Sequence, residues 1–139
     1  MDAQGMKDAA RRWFTGIFDN GDFDLIAEMT AEGYIWHGPR LGTFERDAFP
    51  NLASAFRTAF PDLNNTFDEQ VVEGNVVVTR GTTRGTHRAP LGDLPATGKA
   101  IAVPWVNFTR FDGDRIVEDW QVYDELGLRI QLGVIPESG

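Results

Sequence analysis

The sequence predicts an α+β protein in which helices come first and a mainly antiparallel sheet follows. Apolar side chains recur at helical spacing over most of the first sixty residues. From residue 66 to residue 123, β-branched and alternating segments are separated by tight turn signals, and a short helical pattern follows them. Helices segregated from strands are typical of α+β folds. A curved sheet wrapped over three N-terminal helices can leave a conical cavity, and we expect one domain over residues 1–139.

The three helices are predicted from apolar periodicity. The first runs from Met6 to about Asn20, and a short second helix turns Leu25, Ile26 and Met29 inward. The third helix is predicted to run from an Asp47 N-cap to Phe60, with Phe49, Leu52, Phe56 and Phe60 on its buried stripe. Pro50 falls in its first turn, where proline is tolerated.

Five strands are predicted. A short aromatic strand covers Gly33 to His37 and ends at Gly38-Pro39. Two longer strands, Thr66 to Val72 and Asn75 to His87, are joined through Glu73-Gly74. Lys99 to Phe111 and Asp114 to Tyr123 form a hairpin around Asp112-Gly113, a strong two-residue turn signal.

Composition limits the class of partner. The net charge of −8 argues against a nucleic-acid or anionic-membrane partner, because both favour clusters of Lys and Arg. The absence of cysteine excludes disulfides and thiolate chemistry. The N-terminal segment lacks the apolar core of a signal peptide, and no apolar run is long enough to span a bilayer, so we expect a cytoplasmic protein.

The stretch from Ile116 to Gly133 is the most informative. At period two, Ile116, Glu118, Trp120, Val122 and Asp124 point to one face of a strand. We expect this face to look into the cavity, where a carboxyl at the end of a largely apolar row would have a raised pKa and act as a general acid or base. The alternative role for Asp124 is to cap the helix that follows it and ends at Gly133.

The hairpin register leaves two alternatives for the neighbouring strand. A two-residue turn puts Trp105 and Asn107 on the face of Asp124, whereas a one-residue slip puts Val106, Phe108 and Arg110 there. Asp124 and Trp120 share a face in both cases.

Four segments resemble the SnoaL-like polyketide cyclase family, also called ester cyclases, of the nuclear transport factor 2 and ketosteroid isomerase group. They are WHGP at 36–39, FPDL at 60–63, GTH at 85–87 and above all WQVYDELGLRIQLG at 120–133, and the resemblance extends over the whole chain. It implies a cone-shaped α+β barrel and a cofactor-free enzyme that closes a ring by intramolecular aldol condensation of a polyketide ester. It also implies that Asp124 is the acid/base residue.

The other candidate site residues are weighed against structural roles. His37 could hydrogen-bond a substrate carbonyl or tune Asp124 as a second catalytic group, and His87 could bind substrate. Arg80, if it points inward, would bind an ester or carboxylate oxygen. Trp13, Trp36 and Trp120 are candidate cavity walls. The two histidines lack metal-binding spacing, so no metal site is predicted.

The leading hypothesis is therefore acid/base chemistry on an apolar carbonyl compound. One alternative is another reaction in the same cavity, such as epoxide hydrolysis or double-bond isomerisation; the former lacks an evident second acid. The other alternative is a non-catalytic binding domain. We also expect a homodimer through the outer sheet face, with Val117, Asp119, Gln121 and Tyr123 on that face.

Overall fold

The computed structural model describes residues 1–135, and the α+β class predicted from the sequence is confirmed. A six-stranded curved sheet packs against N-terminal helices. Within the described residues, no helix is both long enough and apolar enough to cross a membrane. The elements in chain order are α1 (Ala3–Phe14), a π-helical segment (Thr15–Asp19), α2 (Asp24–Met29), β1 (Thr30–Gly38), β2 (Gly42–Glu45), α3 (Phe49–Ala59), β3 (Asn64–Glu73), β4 (Val76–Thr86), β5 (Ala100–Asp112), β6 (Arg115–Tyr123) and α4 (Glu125–Gln131).

The helices differ from the prediction mainly at their ends. The first predicted helix starts earlier, at Ala3, because the Asp2 side chain accepts a hydrogen bond from the Gly5 amide at 2.7 Å. The predicted Asp47 cap on α3 is wrong, since Ala48 occupies that position without a side-chain hydrogen bond. Pro50 does lie in the first turn of α3. The edge strand β2 was not predicted, because its four residues carry no apolar alternation.

The strands are ordered β2-β1-β6-β5-β4-β3. Every neighbouring pair is antiparallel except β1 with β6, which is parallel. The alternation of β5 is strict: its odd-numbered residues from Ile101 to Phe111 are buried against the helices, and its even-numbered residues are exposed. The inner face of β5 therefore forms the floor of the space between sheet and helices.

A β-bulge in β6 decides which side chains face that space. Arg110 pairs with Glu118 and Phe111 pairs with Ile116, so Val117 is an extra residue in β6. Ile116 is buried, but after the bulge Glu118, Trp120 and Val122 point to the outer face. Asp119, Gln121 and Tyr123 point inward instead. Val106 and Phe108 therefore share the outer face with Trp120, as in the slipped alternative, but the bulge at Val117 and not a longer turn places them there, and the predicted orientation of β6 is wrong.

Helix α4 closes one end of the space. Leu128 and Leu132 are buried against Ile101, Val103 and Phe60. The Gln131 side chain pairs with the backbone of Ala102, accepting from its amide at 2.7 Å and donating to its carbonyl at 2.9 Å. These contacts fix the helix that follows β6 against the inner face of β5.

Candidate functional site

A cavity lies between α3, α4 and the inner face of the sheet. Its volume is about 70 Å³, and the space between atoms up to and including its open mouth is about 720 Å³. That is room for a few waters or one compact ligand. Its wall is mostly aromatic and aliphatic: Phe14, Phe18, Trp36, Leu41, Leu52, Phe56, Phe60, Leu63, Ile101, Val103, Trp105, Tyr123 and Leu128, with the polar Asn65, Thr83 and Gln121.

Most polar groups near Asn65 are already paired. Its side-chain oxygen accepts from the Trp105 indole nitrogen at 3.1 Å and from the Thr83 hydroxyl at 2.5 Å. Its amide nitrogen donates to Asp19 at 2.7 Å. The Trp105 ring lies over Gly81, where a Cβ atom would come within 2.7 Å of the Thr66 carbonyl oxygen. This part of the wall is therefore internally satisfied and closely packed.

Three residues of the wall carry polar groups without a protein hydrogen-bond partner among the described residues. The Trp36 indole nitrogen is buried without a hydrogen-bond partner among the described residues. Gln121 accepts from Asn107 through its oxygen, which leaves its amide nitrogen free of protein partners in residues 1–135. Burial raises the pKa of Tyr123, and the nearby Glu125 carboxylate raises it further, so the phenol is neutral at neutral pH. The cavity thus combines an apolar wall with uncharged donors, as is typical of small-molecule sites.

A buried polar network lies behind the wall. Asp119 is fully buried, and its Oδ2 accepts from the Trp13 indole at 2.9 Å and from the Tyr34 hydroxyl at 2.5 Å. Its Oδ1 lies 2.9 Å from the Thr109 hydroxyl. Burial raises the pKa of Asp119, although the hydrogen bonds from these donors oppose the shift. The same burial and the facing Asp119 carboxyl raise the pKa of Tyr34 well above its ordinary value.

The predicted position of Asp124 is wrong. Its side chain is exposed, and its Oδ1 accepts from the Gly127 amide at 2.8 Å, which makes it the N-cap of α4. The bulge at Val117 shifts the parity of β6, and after Tyr123 the chain turns into the helix. The capping alternative is therefore the observed arrangement, and Asp124 does not line the cavity.

His37 and Trp120 also lie away from the cavity, on the outer face of the sheet. Their rings stack with centroids 3.9 Å apart, and His37 Nε2 lies 2.9 Å from Glu118 Oε2. Burial alone would raise the pKa of Glu118, but hydrogen bonds from Arg110 and His37 bring it below its ordinary value. The prediction that Trp120 faces the cavity is wrong for the same reason as that for Asp124. His37 points outward because it alternates with the inward Trp36 on β1.

The remaining predicted residues are divided between core, surface and wall. Arg80 is exposed and pairs with Asp68 and Glu69, so its inward placement is wrong. His87 is fully buried against Phe60, and its Nδ1 is bonded to Thr97. Trp13 is core and donates to Asp119 rather than lining the cavity. Trp36 does line the cavity, as expected.

Sequence reasoning missed Asp119, Gln121 and Tyr123 as inward-facing groups. With Val117 they form a row of mixed polarity, and this row was assigned to the outside of the sheet. The strict alternation of β5 is one of burial and is not visible in its sequence, since the outward Val106 and Phe108 are apolar and the inward Asn107 and Thr109 are polar. Neither this strand nor β6 therefore shows the position of the bulge in its sequence.

An α+β cone whose helices and curved sheet enclose an apolar cavity defines the structural class of nuclear transport factor 2 and ketosteroid isomerase. A crystal structure described as having the ketosteroid isomerase-like fold, from Catenulispora acidiphila, matches with a TM-score of 0.76 at 16% identity over 91% of this chain and 93% of the other. The sequence profile of the SnoaL-like polyketide cyclases matches residues 8–132, and the chain belongs to this family.

Solved structures of related proteins support the assignment. IdmH from Streptomyces antibioticus, provisionally described as a polyketide cyclase, is 27% identical, with a TM-score of 0.81 over 93% of this chain and 99% of the other. A Bacillus cereus protein with the same provisional description is 28% identical, with a TM-score of 0.79 over 96% of this chain and 83% of the other. AclR from Streptomyces galilaeus, provisionally described as a hydroxylase, shares the fold with a TM-score of 0.87 at 20% identity, over 99% and 91% of the two chains. No curated protein matches the chain significantly in sequence.

Proposed function

We propose that this protein binds a compact apolar carbonyl compound in the cavity, with the Trp36 indole N–H donating to the carbonyl oxygen. The observation that supports this proposal is the buried Trp36 nitrogen, which has no partner among the described residues. A buried donor without an acceptor costs about 1–3 kcal/mol, and a ligand acceptor would offset that cost. The surrounding rings and aliphatic side chains favour an apolar ligand body.

Binding of two ligands of nearly the same shape tests this proposal. Cyclohexanone carries an acceptor oxygen, and methylenecyclohexane replaces that oxygen with a CH₂ group. We expect both to bind, and the ketone to bind more tightly in NMR titrations. Replacing Trp36 with Phe keeps an aromatic ring and removes only the donor. That variant should lose the preference for the ketone while it keeps its affinity for the hydrocarbon.

Trp105→Phe is the matched control. Trp105 also lines the cavity, but its N–H already donates to Asn65. This variant should be less stable yet retain the ketone preference. If neither compound binds to the wild-type protein, or if Trp36→Phe keeps the full preference, the proposed ligand class is wrong.

Ring closure of the bound compound is the second candidate function, and family membership favours it. A carbonyl oxygen that gains negative charge during enolate or aldol chemistry is stabilised by placed donors. Trp36 and the neutral Tyr123 phenol are such donors in the cavity wall. The proton lost from carbon would pass to water, because the wall formed by the described residues contains no carboxylate or histidine. The same feature disfavours epoxide hydrolysis by paired acids.

Heptane-2,6-dione is a minimal probe for this chemistry. Attack of one methyl carbon on the distant carbonyl closes a six-membered ring, and loss of one water gives 3-methylcyclohex-2-enone. We expect the wild-type protein to accelerate product formation, followed by gas chromatography, and Tyr123→Phe to slow it. Ketone binding without any acceleration would leave a binding protein and exclude the cyclase function for this probe.

We also propose that the chain forms a homodimer through the outer face of the sheet. Four apolar side chains are exposed there in two cross-strand pairs, Val106 with Val122 and Phe108 with Trp120. Their exposed fractions range from 36% to 56%, and a contiguous apolar patch of this kind is typical of an interface. The patch uses residues different from those that the sequence suggested, because the bulge exchanges the two faces of β6.

A further inference from the structure

We infer that Asp119 is a neutral carboxylic acid that fixes the direction of a hydrogen-bond chain, so that Gln121 presents its amide N–H to the ligand in the cavity. The inference deepens the proposed function, because it assigns a second donor to the same carbonyl site. It makes Asp119 a positioning residue, which acts on the ligand only through Gln121.

The chain runs through three fully buried side chains to the cavity wall. Asp119 Oδ1 lies 2.9 Å from Thr109 Oγ1, and Thr109 Oγ1 lies 2.8 Å from Asn107 Oδ1. Asn107 Nδ2 then donates to Gln121 Oε1 at 3.0 Å. Asp119, Thr109 and Asn107 have no exposed surface, whereas Gln121 lines the cavity.

Counting protons along the chain gives its direction. The Thr109 hydroxyl has one proton and two oxygen neighbours, Asp119 Oδ1 and Asn107 Oδ1. Both contacts are hydrogen bonds if Asp119 carries a proton on Oδ1 and donates it to Thr109. Thr109 then donates to the Asn107 oxygen, and Asn107 donates to the Gln121 oxygen. The Gln121 amide nitrogen is left to face a ligand acceptor.

The ionised acid would reverse every bond. Thr109 would donate to the Asp119 carboxylate, and the Asn107 and Gln121 amides would both have to be turned over to keep their pairing. Gln121 would then offer its carbonyl oxygen to the cavity, which suits a donor ligand rather than a ketone. The protonation of Asp119 thus decides the polarity of Gln121, three side chains away along the chain.

The surroundings of Asp119 favour the neutral form. Trp13 on α1 and Tyr34 on β1 donate to Oδ2, which is the carbonyl oxygen of the neutral acid. Thr109 and Asn107 on β5 are uncharged. Tyr34 is the titratable group in contact, and it is neutral because burial raises its pKa well above the ordinary value. Within residues 1–135 no ion pair joins Asp119 to a cation, and burial of a lone carboxylate is strongly unfavourable.

Infrared difference spectroscopy of the wild-type protein against Asp119→Asn at neutral pH tests the protonation directly. We expect the variant to lack one carbonyl band of a protonated carboxylic acid. Loss of a carboxylate band instead would overturn the inference.

Ligand preference tests the role of the chain. Asn at position 119 can donate to Thr109 as the neutral acid does, so Asp119→Asn should keep the wild-type preference for cyclohexanone over methylenecyclohexane. Thr109→Val breaks the chain and should reduce that preference by about two- to tenfold, the range expected for one neutral hydrogen bond. Thr109→Ser should restore it, which a purely structural role for the hydroxyl at position 109 does not require.

Two results separate this inference from the proposed function. If the ketone binds and Thr109→Val retains its full preference, the chain does not orient Gln121, although the cavity still binds carbonyl compounds. If the ketone shows no preference in the wild-type protein, the proposed function fails first. The infrared result stands independently of both.

Discussion

Replacing Asp124 should weaken the fold and leave the cavity unaffected. Its carboxylate accepts from the Gly127 amide at 2.8 Å at the first turn of α4. Loss of an N-cap side chain costs about 1 kcal/mol of the free energy of unfolding. For a chain of this length, that corresponds to a decrease in Tm of about 3 °C. We therefore expect Asp124→Ala to unfold at about that much lower temperature, and Asp124→Asn to resemble the wild-type protein, because Asn caps equally well.

Gly127 provides an internal check on this value. A Cβ atom there would lie 2.1 Å from Asp124 Oδ2, so Gly127→Ala must displace the cap. Alanine in a helix is otherwise favoured over glycine by about 1 kcal/mol. In the wild-type background the two effects should nearly cancel. In the Asp124→Ala background, where there is no cap to displace, Gly127→Ala should stabilise the protein by about 1 kcal/mol.

The wild-type protein, Asp124→Ala, Gly127→Ala and the double variant form a double-mutant cycle. Urea unfolding of these four proteins measures the coupling energy between positions 124 and 127, and cyclohexanone titration of each measures ligand binding in the cavity. Equal stability of Asp124→Ala and the wild-type protein would refute the cap. Loss of ketone binding in Asp124→Asn, with folding intact, would show that this carboxyl contributes to the ligand site after all.

Three further predictions concern the core, the sheet and the surface. The pKa of Asp119 is raised in the folded state. As the pH rises above the ordinary carboxyl pKa, the unfolded state loses this proton and the folded state keeps it. The contribution of Asp119 to the free energy of unfolding therefore falls with pH until the folded-state pKa is passed. Stability measured against pH should therefore decline less steeply for Asp119→Asn than for the wild-type protein, and identical slopes would contradict the assignment. Gly81→Ala should lower the free energy of unfolding in urea by about 1–3 kcal/mol, because the added Cβ atom would lie 2.5 Å from the Trp105 ring. An unchanged urea midpoint would rule out this packing. Phe108→Lys should convert the proposed dimer to monomer in sedimentation velocity without loss of folding, and a wild-type monomer at all concentrations would exclude the interface.

The sequence predicted the fold class because it depends on patterns that survive local irregularity. The helical spacing around Trp13 and the turn-separated strand segments after residue 66 each extend over several residues. The family resemblance extended over the whole chain and was most specific from Trp120 to Gly133, and the family assignment is confirmed.

Trp120 and Asp124, the centre of the candidate site, were misplaced because of one extra residue in β6. Val117 adds a single residue to β6 and exchanges the faces of every residue up to Tyr123. Neither its identity nor its neighbours distinguish it from an ordinary strand residue. The buried Asp119 was missed for a related reason: a carboxyl is placed outside by default, and only its contacts with Trp13 and Tyr34 explain its position inside.

The indole N–H resonance of Trp36 gives the most direct test of the proposed site. The protein has four tryptophans, so their side-chain N–H signals can be separated in a ¹⁵N–¹H spectrum, and the signal missing from Trp36→Phe identifies Trp36. Saturating cyclohexanone should move that signal in the direction of a newly formed hydrogen bond, while methylenecyclohexane should not. A Trp36 signal unmoved by a ketone that demonstrably binds would contradict the account.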